Sequence, residues 1–298
     1  MADNKEKLAL LRENIENALI ETITKAAIKP RPKIIDILKD ALQTEESEIA
    51  KAQLNLMLEN FEYGKDNKIP VCQDTGVLNF FVELGSNFPL ISNYRKIIEK
   101  AVKLATKHIP LRGNSVDPIT NENPETNLGI NVPPIYLKIL DDKDTLKITV
   151  FPKGGGAENI SHLFQLNPSN GLQIFQEEII TVLKKAGGMP CPPIILGIGL
   201  GGDALICMKL AKEALLRPLF VRHARKDIAK LEMQLLEKIN ELKIGPMGLG
   251  GNLTCIDVHI EIAMRHPASF PVGLIVQCYS HRWASFTMNN RGEIINET

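Results

Sequence analysis

Three short apolar runs, at residues 77–84, 194–198 and 271–277, constrain the fold of this chain more than any other feature. Each is too short for a buried helix and is bounded by turn residues, which is the pattern of a buried strand. Around them lie segments with apolar residues spaced three and four apart, at about 5–64, 93–108, 171–186, 204–216 and 226–242. Strands interleaved with helices in this way predict an α/β chain (α+β-like): a mixed β-sheet flanked by many helices, with a helical N-terminal region over about 1–65. Ser47 has the place of an N-cap for the helix that carries Ile49, Leu54 and Leu58,. Residues 136–147 predict a hairpin around a charged turn, and a further helix is expected between the glycine turn at 245–251 and the strand from Pro271. No repeat and no low-complexity linker interrupts the chain, so residues 1–298 are expected to form a single domain whose working region spans about 66–290.

Charge and cysteine usage narrow the function classes. Lys plus Arg equals Asp plus Glu at 35 each, which provides no global field for gripping nucleic acid,. The first twenty residues mix acids and bases in an amphipathic pattern unlike a signal peptide, and no apolar run reaches the roughly 18 residues a membrane span needs. A cytoplasmic protein is expected. The five cysteines are an odd number, widely spread and without a CxxC pair, so neither a disulfide framework nor a zinc knuckle is indicated,.

Those cysteines differ in setting. Cys72, Cys191 and Cys278 each stand at a strand–loop junction beside Pro, Gln or Gly, whereas Cys207 and Cys255 fall inside helical patterns, where a thiol acts as a small hydrophobe,. The first three are candidate ligands, although isolated cysteines far apart are more often core residues. Gly197-Ile198-Gly199-Leu200-Gly201-Gly202 satisfies GxGxxG between a strand and a helix, which raises a dinucleotide-binding oxidoreductase. The acidic residue that should hold the ribose is missing, because residues 219–225 read LFVRHAR. A tight strand-to-helix turn explains the glycines equally well. Lys153-Gly154-Gly155-Gly156 offers consecutive backbone N–H groups suited to a carboxylate, without the GK[ST] ending of a phosphate loop. Gln73 and Asp74 are placed either to bind a hydroxyl or carboxylate or to make an Asx turn. Arg112 sits in a long loop at 109–133, and His266 precedes Pro267; each is a solvated surface group unless the fold carries it into a cleft,. His162 and His281 are weaker candidates.

Taken together, KIPVCQDTGVLNFFVELG, LRGNSVDP, KGGGAEN, CPPIILGIGLGG, IGPMGLGGN and HIEIAMRHPASFPVGLIVQC resemble the α-subunit, or N-terminal half, of class I fumarases and the related L-tartrate dehydratases. The resemblance runs from about 54 to 288. It implies a [4Fe–4S] cluster on Cys72, Cys191 and Cys278, with one iron left open to polarise substrate oxygens. It further implies that Gln73, Asp74, Arg112, the backbone at Gly155 and His266 line a pocket for a small dicarboxylate, Asp74 and His266 acting catalytically. The family's proton-abstracting base lies in a C-terminal half, so the resemblance implies a separate β-subunit and a dimer of αβ pairs. It leaves fumarate and L-malate as the preferred substrates and L-tartrate as the alternative. A non-catalytic scaffold subunit is the reading of a different class.

Overall fold

The structure, a computed structural model, describes residues 2–89 and 92–298. Against the single domain expected, the chain packs as two compact units. Both are discontinuous, which is why no linker marks them in the sequence. Unit 1 comprises residues 1–30, 61–153 and 282–298; unit 2 comprises 31–60 and 154–281.

In chain order the helices are α1 (Ala2–Ile28), α2 (Pro32–Thr44), α3 (Glu48–Asn67), α4 (Tyr94–His108), α5 (Gly155–Glu158), α6 (Gly171–Ala186), α7 (Ala204–Ala214) and α8 (Lys226–Asn240). The strands are β1 (Val77–Gly85), β2 (Ile135–Leu140), β3 (Thr145–Lys153), β4 (His162–Leu166), β5 (Ile194–Leu200), β6 (Cys255–Ile262), β7 (Phe270–Gln277), β8 (Ala284–Asn289) and β9 (Ile294–Glu297). The expected N-cap is in place, the Ala50 N–H donating to Ser47 Oγ at 3.3 Å.

Unit 1 is a five-stranded mixed sheet in the order β2-β1-β3-β8-β9. The residues expected to form a hairpin do not pair with each other. β2 runs parallel to β1 on one side, and β3 runs antiparallel to β1 on the other. The apolar strand β1 separates them because both faces of its Leu78, Phe80, Phe81 and Val82 run are buried. Leu78, Phe80 and Val82 join Ile148, Val150 and Phe286 beneath α1 and α4, whose buried stripe is Ile97, Ile98, Ala101, Val102 and Ala105. That stripe has the helical period.

Unit 2 is a four-stranded sheet in the order β4-β7-β5-β6. β5 is buried along its whole length. Leu196, Ile198, Val258, Ile260, Leu274 and Val276 face α6 and α8. On the other face, α7 lies so close that a Cβ on Gly197 or Gly199 would stand 2.0 Å from the Ala211 or Cys207 carbonyl oxygen. The segment expected as a helix before Pro271 is the strand β6. Its period is two: Val258 and Ile260 point to the core, while Asp257, His259 and Glu261 point the other way.

β6 is an edge strand, and side chains occupy its outer backbone groups. Ile260 N–H donates to Glu232 Oε1 at 2.8 Å, and its carbonyl accepts from Arg217 Nη2 at 2.6 Å. The Val258 carbonyl accepts from Arg222 Nη1 at 3.0 Å, and its N–H donates to Asp257 Oδ1 at 2.9 Å. Asn240 binds both the N–H and the carbonyl of Cys255. Glu232, Asp257 and His259 are fully buried, and the ion pairs Arg217–Glu232, Arg217–Glu261 and Arg222–Asp257 compensate their burial,.

Candidate functional site

The expected site residues divide between the units. Cys72, Gln73, Asp74 and Arg112 belong to unit 1, whereas Gly155, Cys191, His266 and Cys278 belong to unit 2.

In unit 1 the loop before β1 is fixed by Thr75. Its hydroxyl donates to the Arg112 carbonyl at 3.2 Å and accepts from Arg112 N–H at 3.1 Å and from Asn114 Nδ2 at 3.0 Å. Those bonds bring the backbone of Arg112, 37 positions away in sequence, to the loop that carries Cys72, Gln73 and Asp74. Gly76 closes the loop with φ +79°, and its N–H donates to Asp74 Oδ1 at 3.0 Å, which is the Asx turn,. A Cβ on Gly76 would stand 2.7 Å from the Lys153 nitrogen, so only glycine fits,. The Asp74 carbonyl accepts from Nη2 of Arg282 at 2.8 Å. Arg282 is 2% exposed and Lys153 is 3% exposed. Sequence reasoning singled out neither side chain for the site, since a cation beside a strand reads as solvated until burial is known.

In unit 2 the register of β5 against β7 locates the other residues. The two strands are antiparallel, with Ile195 opposite Gln277 and Leu200 opposite Val272. Cys191, just before β5, and Cys278, just after β7, therefore stand at the same end of the sheet. Tyr279 N–H donates to the Cys191 carbonyl at 3.2 Å, and Cys278 Sγ lies 3.2 Å from Ser280 Oγ. The glycine turns meet there: a Cβ on Gly156 would stand 3.1 Å from the Met189 carbonyl, one on Gly188 would stand 2.6 Å from that of Met247, and Met247 N–H donates to the Pro192 carbonyl at 2.8 Å. Gly155 thus shares the cysteine end.

His266 does not. It lies in the exposed turn between β6 and β7, four positions before Phe270, at the opposite end of β7 from Cys278. At about 3.3 Å per residue the eight-residue strand separates the two by roughly 25 Å. The structure does not bring His266 to the end of the sheet at which Cys191 and Cys278 stand. Its Nδ1 accepts from Ala268 N–H at 3.1 Å, an ordinary local turn bond.

The thiols sort as the sequence suggests, with one correction of element. Cys72, Cys191 and Cys278 are partly exposed and free of disulfides, while Cys207 and Cys255 are buried. Cys207 is in α7, but Cys255 begins β6 rather than a helix. Burial pushes the Cys255 thiol well above its usual range and also raises Cys207. Neither is a thiolate donor. The three loop thiols are soft donors of the kind an iron–sulfur cluster takes, and the chemistry of the donor set fits that group. Among the described residues no three His, Cys, Asp or Glu side chains are gathered at one point.

The dinucleotide alternative loses its geometric basis. Asp203 caps α7, its Oδ1 accepting from Leu205 N–H at 2.9 Å and Ile206 N–H at 2.8 Å. A phosphate would meet a carboxylate already on those donors. Gly197 and Gly199 serve close helix–strand packing instead. Among the described residues no helix is long and apolar enough to cross a membrane.

Comparison with known proteins identifies the family. The sequence pattern of the fumarate hydratase (Fumerase) family matches residues 16–287. A Methanocaldococcus jannaschii protein, provisionally named L(+)-tartrate dehydratase subunit alpha, is 45% identical over 274 residues, covering 91% of this chain and 96% of its own. L(+)-tartrate dehydratase subunit alpha of Escherichia coli K12 is 35% identical over 249 residues, covering 84% of this chain and 82% of its own.

Proposed function

The chain belongs to the fumarate hydratase (Fumerase) family, and from that premise we propose that it is the α-subunit of a two-subunit, iron–sulfur-dependent hydro-lyase acting on a small dicarboxylate in the cytoplasm. The observation that carries this reading is the contrast among the thiols: three are partly exposed in loops and two are buried filler. A [4Fe–4S] cluster on Cys72, Cys191 and Cys278 would supply an open Lewis-acid iron for the substrate's hydroxyl and carboxylate oxygens.

The chain's own residues would do the positioning. Arg112 would pair with a substrate carboxylate, and the N–H groups of the turn at Gly155 would bind a carboxylate. Gln73 and Asp74 would orient the hydroxyl, Asp74 from a backbone held by Arg282 and by the Gly76 turn. The β-subunit implied by the relatives' names would complete the site and supply the base. Since His266 stands at the other end of its own sheet, a substrate contact from it would reach the site of a second αβ pair. Interconversion of fumarate and L-malate is our first reading, favoured by the KGGGAEN turn. Dehydration of L-tartrate is the second, favoured by the names of the relatives.

The test is an anaerobic preparation with the β-subunit, assayed for iron and sulfide and for turnover of L-malate, fumarate and L-tartrate. Cys72→Ser, Cys191→Ser and Cys278→Ser should each lose the cluster, whereas Cys207→Ser should keep it. Iron and sulfide that survive loss of all three loop thiols would refute the ligand assignment. A complex made by coexpressing Cys72→Ser and His266→Asn chains should recover activity that neither has alone if His266 acts on a neighbouring pair. No recovery would remove His266 from the site.

A further inference from the structure

The loop between α4 and β2 does more than deliver Arg112. Beyond Gly113 it encloses a cavity of about 550 Å³ with an apolar floor that includes Val116, Pro118, Leu128 and Val132, and Asp117 and Glu122 among its lining. The same loop holds large aliphatic side chains in water: Ile119 is 86% exposed, Ile130 is 89% and Val116 is 54%. Isolated exposed aliphatics are ordinary, but several around one apolar cavity mark a contact surface.

The loop is also preformed. Asn127 is 4% exposed; its Oδ1 accepts from Asn114 N–H at 2.8 Å and its Nδ2 donates to Thr106 Oγ1 at 3.2 Å. Asn123 Nδ2 donates to the Gly113 carbonyl at 2.9 Å, and Asp117 Oδ1 accepts from Ile119 N–H and Thr120 N–H. Gly129 and Val132 exchange both backbone bonds at 3.1 Å, which leaves Ile130 at the tip of a tight turn. These bonds prevent the aliphatics from folding back into the unit, and they reduce the entropy lost when a partner covers them.

Charge identifies the occupant. Residues 113–137 contain Asp117, Glu122 and Glu125 and no Lys, Arg or His. An anionic dicarboxylate is repelled from such a cavity, so it is not a second substrate site. A second copy meeting loop to loop would set these carboxylates against themselves. We infer that this loop is a docking surface for the β-subunit, which places an aliphatic side chain in the cavity and Lys or Arg at its rim. The inference rests on the two-subunit reading above, and the loop's root is bonded to the Cys72–Asp74 segment through Thr75, next to residues the β-subunit would have to reach.

The experiment is titration of the purified β-subunit into the full-length α-chain by calorimetry, comparing wild type with Ile130→Asp and Glu122→Lys. Both side chains lie outside the core, so the variants should keep the wild-type melting temperature and circular dichroism. Each should weaken association on the order of tenfold to a hundredfold. Wild-type affinity in both variants overturns the docking assignment while leaving the two-subunit reading intact. No association of the wild-type chains overturns both. An α-chain that self-associates alone, and is made monomeric by Ile130→Asp, assigns the surface to a second copy and also overturns the inference.

Discussion

At the scale of single residues, Thr75 has the largest structural consequence for its size. The residue is 4% exposed, and its hydroxyl satisfies three groups of a distant loop. Thr75→Val removes the hydroxyl from the Arg112 N–H and carbonyl in a partly buried setting, Asn114 Nδ2 keeping the Gly76 carbonyl, and should cost about 1–3 kcal/mol in urea unfolding, with Thr75→Ser recovering most of it. A variant within about 0.5 kcal/mol of wild type would show that water replaces the hydroxyl. The thiols give a second expected outcome. Burial holds Cys255 protonated at neutral pH, so mass spectrometry after alkylation of the apoprotein near pH 8 should find Cys72, Cys191 and Cys278 labelled and Cys255 unlabelled,. Equal labelling would mean that β6 opens readily. The motif around Cys72 was legible in the sequence, but the roles of Thr75 and Arg282 were not, because both depend on partners distant in the chain.

At the scale of elements, the sealed edge of β6 has a measurable pH signature. Burial alone would raise Asp257, but hydrogen bonds and charge from His259, Phe220 N–H and Arg222 outweigh it and hold the carboxyl below its usual range. A depressed folded-state value means that its stabilisation is present above the ordinary carboxylate range, about pH 4, and is lost as pH falls through the folded value. Melting temperatures followed from pH 6 to pH 3 should therefore fall more steeply in wild type than in Asp257→Asn, and parallel curves would remove Asp257 from the acid limb. Glu232→Ala strips a buried partner from Arg217 and Arg222 and should destabilise by about 3–5 kcal/mol in denaturant. It also bares Ile260 N–H on a strand edge, so light scattering at elevated protein concentration should rise. The reading of this segment as a helix missed a period of two that was present in the residues, since a polar face usually means solvent and here it means a buried ion network. The pairing of β2 with β1 was missed for another reason: proximity in sequence favours a hairpin, and only the double-sided burial of β1 overrides it.

For the whole molecule, the three apolar runs and the helical spacings were enough to predict a mixed sheet flanked by helices, although the strands form two sheets. The division into two units was not legible, because each is assembled from separated stretches. Unit 2 has all four of its strands once residue 277 is made. Unit 1 does not: β8 pairs with β3, β9 pairs with β8, and residues 282–298 follow everything in unit 2. During synthesis, β3 must wait with Ile148 and Val150 uncovered on one side while more than a hundred further residues, 154–281, are translated. Protease treatment of released chains truncated after residue 281 should accordingly spare unit 2 and cut within unit 1. The halves of this protein mature in the reverse of the order in which they begin, and the first-made portion is the one that stays incomplete longest.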